Sequence, residues 1–156
     1  MGNINKATVY LSEDETPYVV MEKTNYVVDR RRKVTTPDCI YQITRAMKMP
    51  ERAQEVVTVV VFDGANKPIC VSEISAGSIN RSIVPVREIA QLMLLVGGVS
   101  CALTHNHPSG DLNPSDYDIV ITKKLKDALK MLNLDLLDHI IVSRNGYCSM
   151  VEVGIM

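Results

Sequence analysis

Two histidines two positions apart, His105 and His107, stand at the end of a short apolar run, Ser100 to His105. If that run is a strand, side chains alternate across it and both imidazoles project to one side. Such a pair is a two-nitrogen grip for a metal ion, although a buried histidine can equally be a satisfied core residue. A third group is needed to separate these readings. Asp118 follows a turn-rich loop, Pro108-Ser109-Gly110-Asp111-Leu112-Asn113-Pro114, and falls in the first turn of the next helical pattern, where a short carboxylate can swing back toward the strand end. Zinc takes nitrogen and oxygen ligands at about 2.0–2.2 Å in tetrahedral geometry, and catalytic zinc sites use three protein ligands with water in the fourth place. His105, His107 and Asp118 make that count. The segment Ser115-Asp116-Tyr117-Asp118 also fits a helix cap, with Ser115 as N-cap and an acidic residue at the third helical position. Spacing alone leaves both roles open.

The elements that must hold these residues follow from periodicity. Glu55 to Phe62 is almost continuously apolar and β-branched, which predicts a central strand covered on both faces. Asp63-Gly64 turns the chain, and Pro68 to Ile74 reads as the returning antiparallel strand. Thr36-Pro37-Asp38 opens a helix of about three turns expected to end near Pro50. A second helix runs from Pro85-Val86-Arg87-Glu88 to a stop at Gly97-Gly98, and a third from Ser115 to about Asn133. Leu136 to Val142 and Tyr147 to Val151 predict two strands joined through Asn145-Gly146. Before Thr36 the pattern is weaker: two β-prone runs, Pro17 to Met21 and Tyr26 to Val28, precede the basic run Arg30-Arg31-Arg32-Lys33.

At 156 residues the chain is long enough for one hydrophobic core and short for two. Hydrophobic residues at 46% and charged residues at 22% match a globular protein. A net charge of −1 gives no general attraction to phosphate backbones, so nucleic-acid binding would rest on local patches such as Arg30 to Lys33 or the lysines after Thr122. Nothing is apolar enough to span a bilayer, and the acidic N-terminal stretch lacks the features of a secretory signal, so a cytoplasmic location is expected. Cys39, Cys70, Cys101 and Cys148 are too widely spaced for a zinc knuckle or redox motif and read as buried thiols.

The run from His105 to Asp118 reads H-x-H, seven residues, then S-x-x-D. This resembles the JAMM motif of the MPN metallopeptidases. Within that superfamily SAGSINRSIVPVREI, THNHPSGDLNPSDYD and LLDHIIV are similar to the bacterial RadC family, the resemblance covering roughly Thr36 to Met150. It implies one domain over residues 36–156 with a short, strand-prone extension over residues 1–35. The implied fold is a mixed α/β one, a mostly antiparallel, curved sheet flanked by helices, in the MPN or cytidine-deaminase-like manner. It also implies His105, His107 and Asp118 as zinc ligands, Ser115 as a group touching the reacting oxygen, and a glutamate on an upstream strand as general base. Glu55 is the choice for that base, with Glu51, Glu73 and Glu88 as competitors.

The expected activity is zinc-dependent hydrolysis of amide bonds in a peptide or protein, extending to isopeptide bonds because relatives often remove ubiquitin-like modifiers. The alternative is a non-catalytic, nucleic-acid-associated role in DNA repair, the role long attached to the RadC name. RadC proteins usually carry a longer N-terminal region of helix-hairpin-helix character, whereas residues 1–35 look strand-like, which weakens the DNA reading. Oligomeric state stays open. Asn106 is read as positioning the loop or the substrate, and His139, beside Asp138, as structural.

Overall fold

The computed structural model of the chain describes residues 1–76 and 85–156. Part of the family-like stretch SAGSINRSIVPVREI, residues 77–84, lies outside the described residues. Among the described residues seven strands form one mixed sheet: β1 (Gly2–Leu11), β2 (Pro17–Val28), β3 (Val56–Phe62), β4 (Pro68–Ala76), β5 (Ser100–Asn106), β6 (Asp135–Ser143) and β7 (Gly146–Ser149). Their spatial order is β2-β1-β4-β3-β5-β6-β7, with only the β1–β4 and β5–β6 pairs parallel. Three α-helices among the described residues, α1 (Pro37–Ala46), α2 (Val86–Val96) and α3 (Asp116–Met131), flank the sheet. The expected mixed, mostly antiparallel α/β architecture is what forms.

β3 organises the core. Each of its residues is buried, and it is hydrogen-bonded antiparallel to β4 on one side and β5 on the other. Because its side chains alternate, Val57, Val59 and Val61 pack with Ile89, Leu92 and Met93 of α2 and Leu125 and Leu129 of α3. Val60 and Phe62 face the opposite way, toward Ile40 and Ile43 of α1 and Ile140 of β6. Burying each such side chain contributes about 1.5–3 kcal/mol. A strand apolar on both faces is thus required by helices on both faces.

Boundaries differ from the sequence expectation in instructive places. α1 ends at Ala46 rather than near Pro50, because the Pro50 ring would clash with the Ala46 carbonyl in a continued helix. Lys48 takes a left-handed φ of 54°, and a 3-10 turn, Met49–Glu51, follows. β7 stops at Ser149. Asp138 accepts hydrogen bonds from the Ser149 hydroxyl (2.5 Å) and the Val151 amide (3.2 Å), which draws the chain out of the strand there. The two N-terminal β-prone runs merge into β2, and β1 was not apparent in the sequence at all. Only Cys70 and Cys101 are buried thiols; Cys39 and Cys148 are partly exposed, and all four are free.

Gly98 shows why the turn before β5 is glycine-rich. A Cβ there would lie 2.3 Å from Val61 Cγ1. Its amide instead closes the end of α2 on the Met93 carbonyl (2.7 Å), and β5 starts two residues later against β3.

Candidate metal centre

β5, α3 and β6 form a parallel crossover, which needs a helix between its strands. The C-terminal end of β5 therefore faces the N-terminal turn of α3. His105 lies in β5 opposite Val57 and is 2% exposed, and His107 follows one residue past the strand end. Both imidazoles face the same side, with Nε2 atoms 2.9 Å apart. The intervening Asn106 points to the opposite face.

Asn106 is fully buried. Its Oδ1 accepts the Val56 amide (2.7 Å), and its Nδ2 donates to the Arg52 (3.2 Å) and Gln54 (3.0 Å) carbonyls. These three bonds clamp the backbone on both sides of Glu55. The asparagine thus holds the segment that carries Glu55, a more specific task than the loop positioning expected of it. Glu55 stands just ahead of β3 with Oε1 3.9 Å from His107 Nε2. Of its competitors, Glu73 pairs instead with Arg52 (3.7 Å).

His107 is oriented from its other nitrogen. Nδ1 lies 2.7 Å from the Asp111 carbonyl oxygen, which can only accept, so Nδ1 carries the proton and the neutral ring leaves Nε2 bare. The Asp111 carbonyl is in place because the loop doubles back at Gly110. Gly110 has a φ of 88°, and its carbonyl accepts from Asn145 Nδ2 (3.2 Å), which a Cβ would approach to 2.9 Å. A side chain is excluded there on both counts.

Asp118 caps the helix and also faces His105. Oδ2 accepts the Ser115 amide (2.8 Å) and the Ser115 hydroxyl (2.7 Å), while the Asp118 amide donates back to Ser115 Oγ (3.1 Å), a complete capping box. Oδ1 faces His105 Nε2 at 3.5 Å. The cap uses Oδ2, which also lies 4.0 Å from His107 Nε2, and leaves Oδ1 toward His105. Ser115 sits at the cap with its hydroxyl proton directed at Asp118.

Burial pushes His105 down to about 4, against the Asp118 charge that raises it and with His107 lowering it further. His139 is held well below the ordinary histidine value, again by burial first and then by His105 and His107. Both rings are therefore neutral near pH 7, the form that ligates metals.

Two ligands of a tetrahedral ion bound at about 2.0–2.1 Å stand about 3.3 Å apart. The His105–His107 separation of 2.9 Å and the His105–Asp118 separation of 3.5 Å straddle that value. Glu55, His105 and His107 likewise offer ligand atoms within 4.8 Å of one another. A cluster of two imidazoles and two carboxylates fits a divalent cation.

The RadC-like JAB domain family matches residues 34–155. The chain belongs to this family. It is therefore a RadC-type member of the JAMM/MPN superfamily, and its seven-stranded mixed sheet with three flanking helices is consistent with the JAB/MPN fold. Similar proteins include a UPF0758 protein of Methanosarcina mazei, 36% identical over 129 residues, or 83% of this chain and 56% of that protein. Another is a UPF0758 protein of Clostridium botulinum, 39% identical over 123 residues, or 78% of this chain and 53% of that one. The chain spans about half the length of these relatives. Their names state no activity.

His139, read from the sequence as structural, lies against the RadC site. His139 Nε2 lies 2.7 Å from His105 Nδ1, so it is in direct contact with the site. The signal was its place in LLDHIIV, but its partner depends on the parallel register that sets Leu103 beside His139, which no local pattern encodes.

Proposed function

We propose that this RadC domain is a zinc-dependent hydrolase of amide bonds in peptides or proteins, isopeptide bonds included. The observation that carries the reading is the convergence of His105 Nε2, His107 Nε2 and Asp118 Oδ1, with the Glu55 carboxylate 3.9 Å from His107. His105, His107 and Asp118 would hold the zinc. When bound, zinc polarises a carbonyl and lowers the pKa of a water to about 7.

Glu55 is half-buried and held from behind by the Asn106 clamp. It takes the proton of the attacking water and returns it to the leaving amine as the C–N bond breaks. Ser115 acts through Asp118: two donors on Oδ2 orient the carboxylate so that Oδ1 faces His105. The same hydroxyl stabilises a developing oxyanion only by giving up its Oδ2 bond.

The nucleic-acid alternative gains little support. Arg32 and Lys33 line a cleft of about 850 Å³ with Arg45 and Arg144, but Asp29, Asp38 and Glu51 line it too. Among the described residues no helix is long and apolar enough to cross a membrane.

The test is Glu55→Gln assayed on amide and isopeptide substrates. The variant is expected to keep its zinc and lose turnover by at least about 100-fold. Unchanged turnover removes Glu55 from the mechanism.

A further inference from the structure

His139 is the third histidine around the site and, with His105, one of the two that are buried, and the hydrolysis just described makes no use of it. Its Nε2 is 2.7 Å from His105 Nδ1, and its Nδ1 is 2.6 Å from Thr122 Oγ1. Thr122 Oγ1 is in turn 2.5 Å from the Asp118 carbonyl oxygen, one helical turn earlier. His105, His139, Thr122 and Asp118 are all buried, so no water competes for these contacts.

The far end of this chain decides the direction of every proton in it. A carbonyl oxygen only accepts, so the Thr122 hydroxyl donates to Asp118, the usual bond of a helical threonine to the preceding turn. That hydroxyl then has only lone pairs to offer His139. Neutral His139 must carry its proton on Nδ1 and present a bare Nε2. His105 consequently donates from Nδ1 and is left with a lone pair on Nε2, the atom that faces His107 and Asp118. The Met150 sulfur, 3.4 Å from the Thr122 hydroxyl, is too weak an acceptor to reverse the order.

We propose that His139 is a positioning residue: with Thr122 it fixes the Nδ1–H tautomer and ring plane of His105, so that His105 offers its Nε2 lone pair to the metal. The inference rests on the metal reading given above. An imidazole in this place differs from the carboxylate or carbonyl that usually backs a ligating histidine, because it can accept in only one of its tautomers. Thr122 supplies the missing instruction, and it does so from the helix that also carries Asp118.

The experiment has a metal-free and a metal-bound arm. Long-range 1H–15N spectra of the chelator-treated protein at pH 8 are expected to show His139 protonated on Nδ1, with Thr122→Val moving the proton toward Nε2 and Thr122→Ser leaving it in place. Zinc affinity by chelator competition is expected to fall about 10- to 100-fold in Thr122→Val and in His139→Leu, and to stay within about threefold of wild type in Thr122→Ser. A wild-type His139 protonated on Nε2 overturns the proposal. So does unchanged zinc affinity in a folded Thr122→Val while His107→Ala and Asp118→Ala lose the metal. If wild type itself takes no zinc, the metal reading fails, and the proton positions alone decide whether the relay exists.

Discussion

The Nε2 atoms of His105 and His107 face each other at 2.9 Å. The Nδ1–H of His107 donates to the Asp111 carbonyl and His105 is held neutral by burial, so with a neutral His107 ring two lone pairs would meet across that gap. Two bare nitrogens at such a distance repel unless a cation lies between them. A ligand that binds only the folded chain stabilises it by about 2.7 kcal/mol at a hundred times its dissociation constant. Chelation should therefore lower the thermal midpoint and added zinc restore it, with His107→Ala indifferent to both. A midpoint that ignores the chelator and zinc alike would speak against this pairing.

Asp118 gives Oδ2 to the helix cap and turns Oδ1 toward His105, so capping and the proposed metal binding can be tested separately. Asp118→Asn keeps an acceptor for the Ser115 amide and should cost under about 1 kcal/mol of stability while weakening zinc binding at least tenfold. Ser115→Ala loses the cap and should cost about 0.5–2 kcal/mol. Chemical denaturation beside zinc titration checks both; zinc binding unaffected in Asp118→Asn would confine Asp118 to the cap.

Asn106 connects stability to Glu55. Asn106→Ala leaves the Val56 amide and the Arg52 and Gln54 carbonyls without their partner, at about 1–3 kcal/mol for each group that water cannot reach. In the surviving folded fraction kcat should fall while zinc stays bound, because Glu55 loses its support and the histidines do not. Equal loss of zinc and turnover would show that the clamp supports the whole strand end instead.

The buried histidines set a pH response. His105 and His139 are depressed in the folded chain, so below about 6.5 the unfolded chain takes up protons that the folded chain refuses. Stability of the metal-free protein is then level above that pH and falls by about 1.4 kcal/mol per pH unit per histidine as pH drops toward 4. Urea denaturation in chelator at pH 7.5 and 5.5 should show the drop, with a shallower slope for His139→Gln. A flat profile for wild type would contradict neutral burial of these rings.

The parts of the molecule that were legible in the sequence are those whose signal is local. β3 announced itself through an unbroken β-branched run, and His105 with His107 through a spacing of two on a strand. Asp118 was visible because the loop before it is dense in turn formers. β1 was hidden: Asn3, Asn5, Lys6 and Thr8 dilute its alternation, and its burial comes from lying between β2 and β4. The partners of Asn106 and His139 were hidden for a related reason. Asn106 acts across the antiparallel β3–β5 pair and His139 across the parallel β5–β6 pair, and those registers are properties of the folded sheet.

Metal content tests the site most directly. Tag-free wild type, His107→Ala and Asp118→Ala, freed of loosely bound ions, would be measured by inductively coupled plasma mass spectrometry. About one zinc per wild-type chain, lost in both variants, is the expected result for a catalytic site with three protein ligands. A wild-type chain that holds no metal, and takes none when zinc is supplied, would contradict the site and leave Asp118 as a helix cap beside two core histidines.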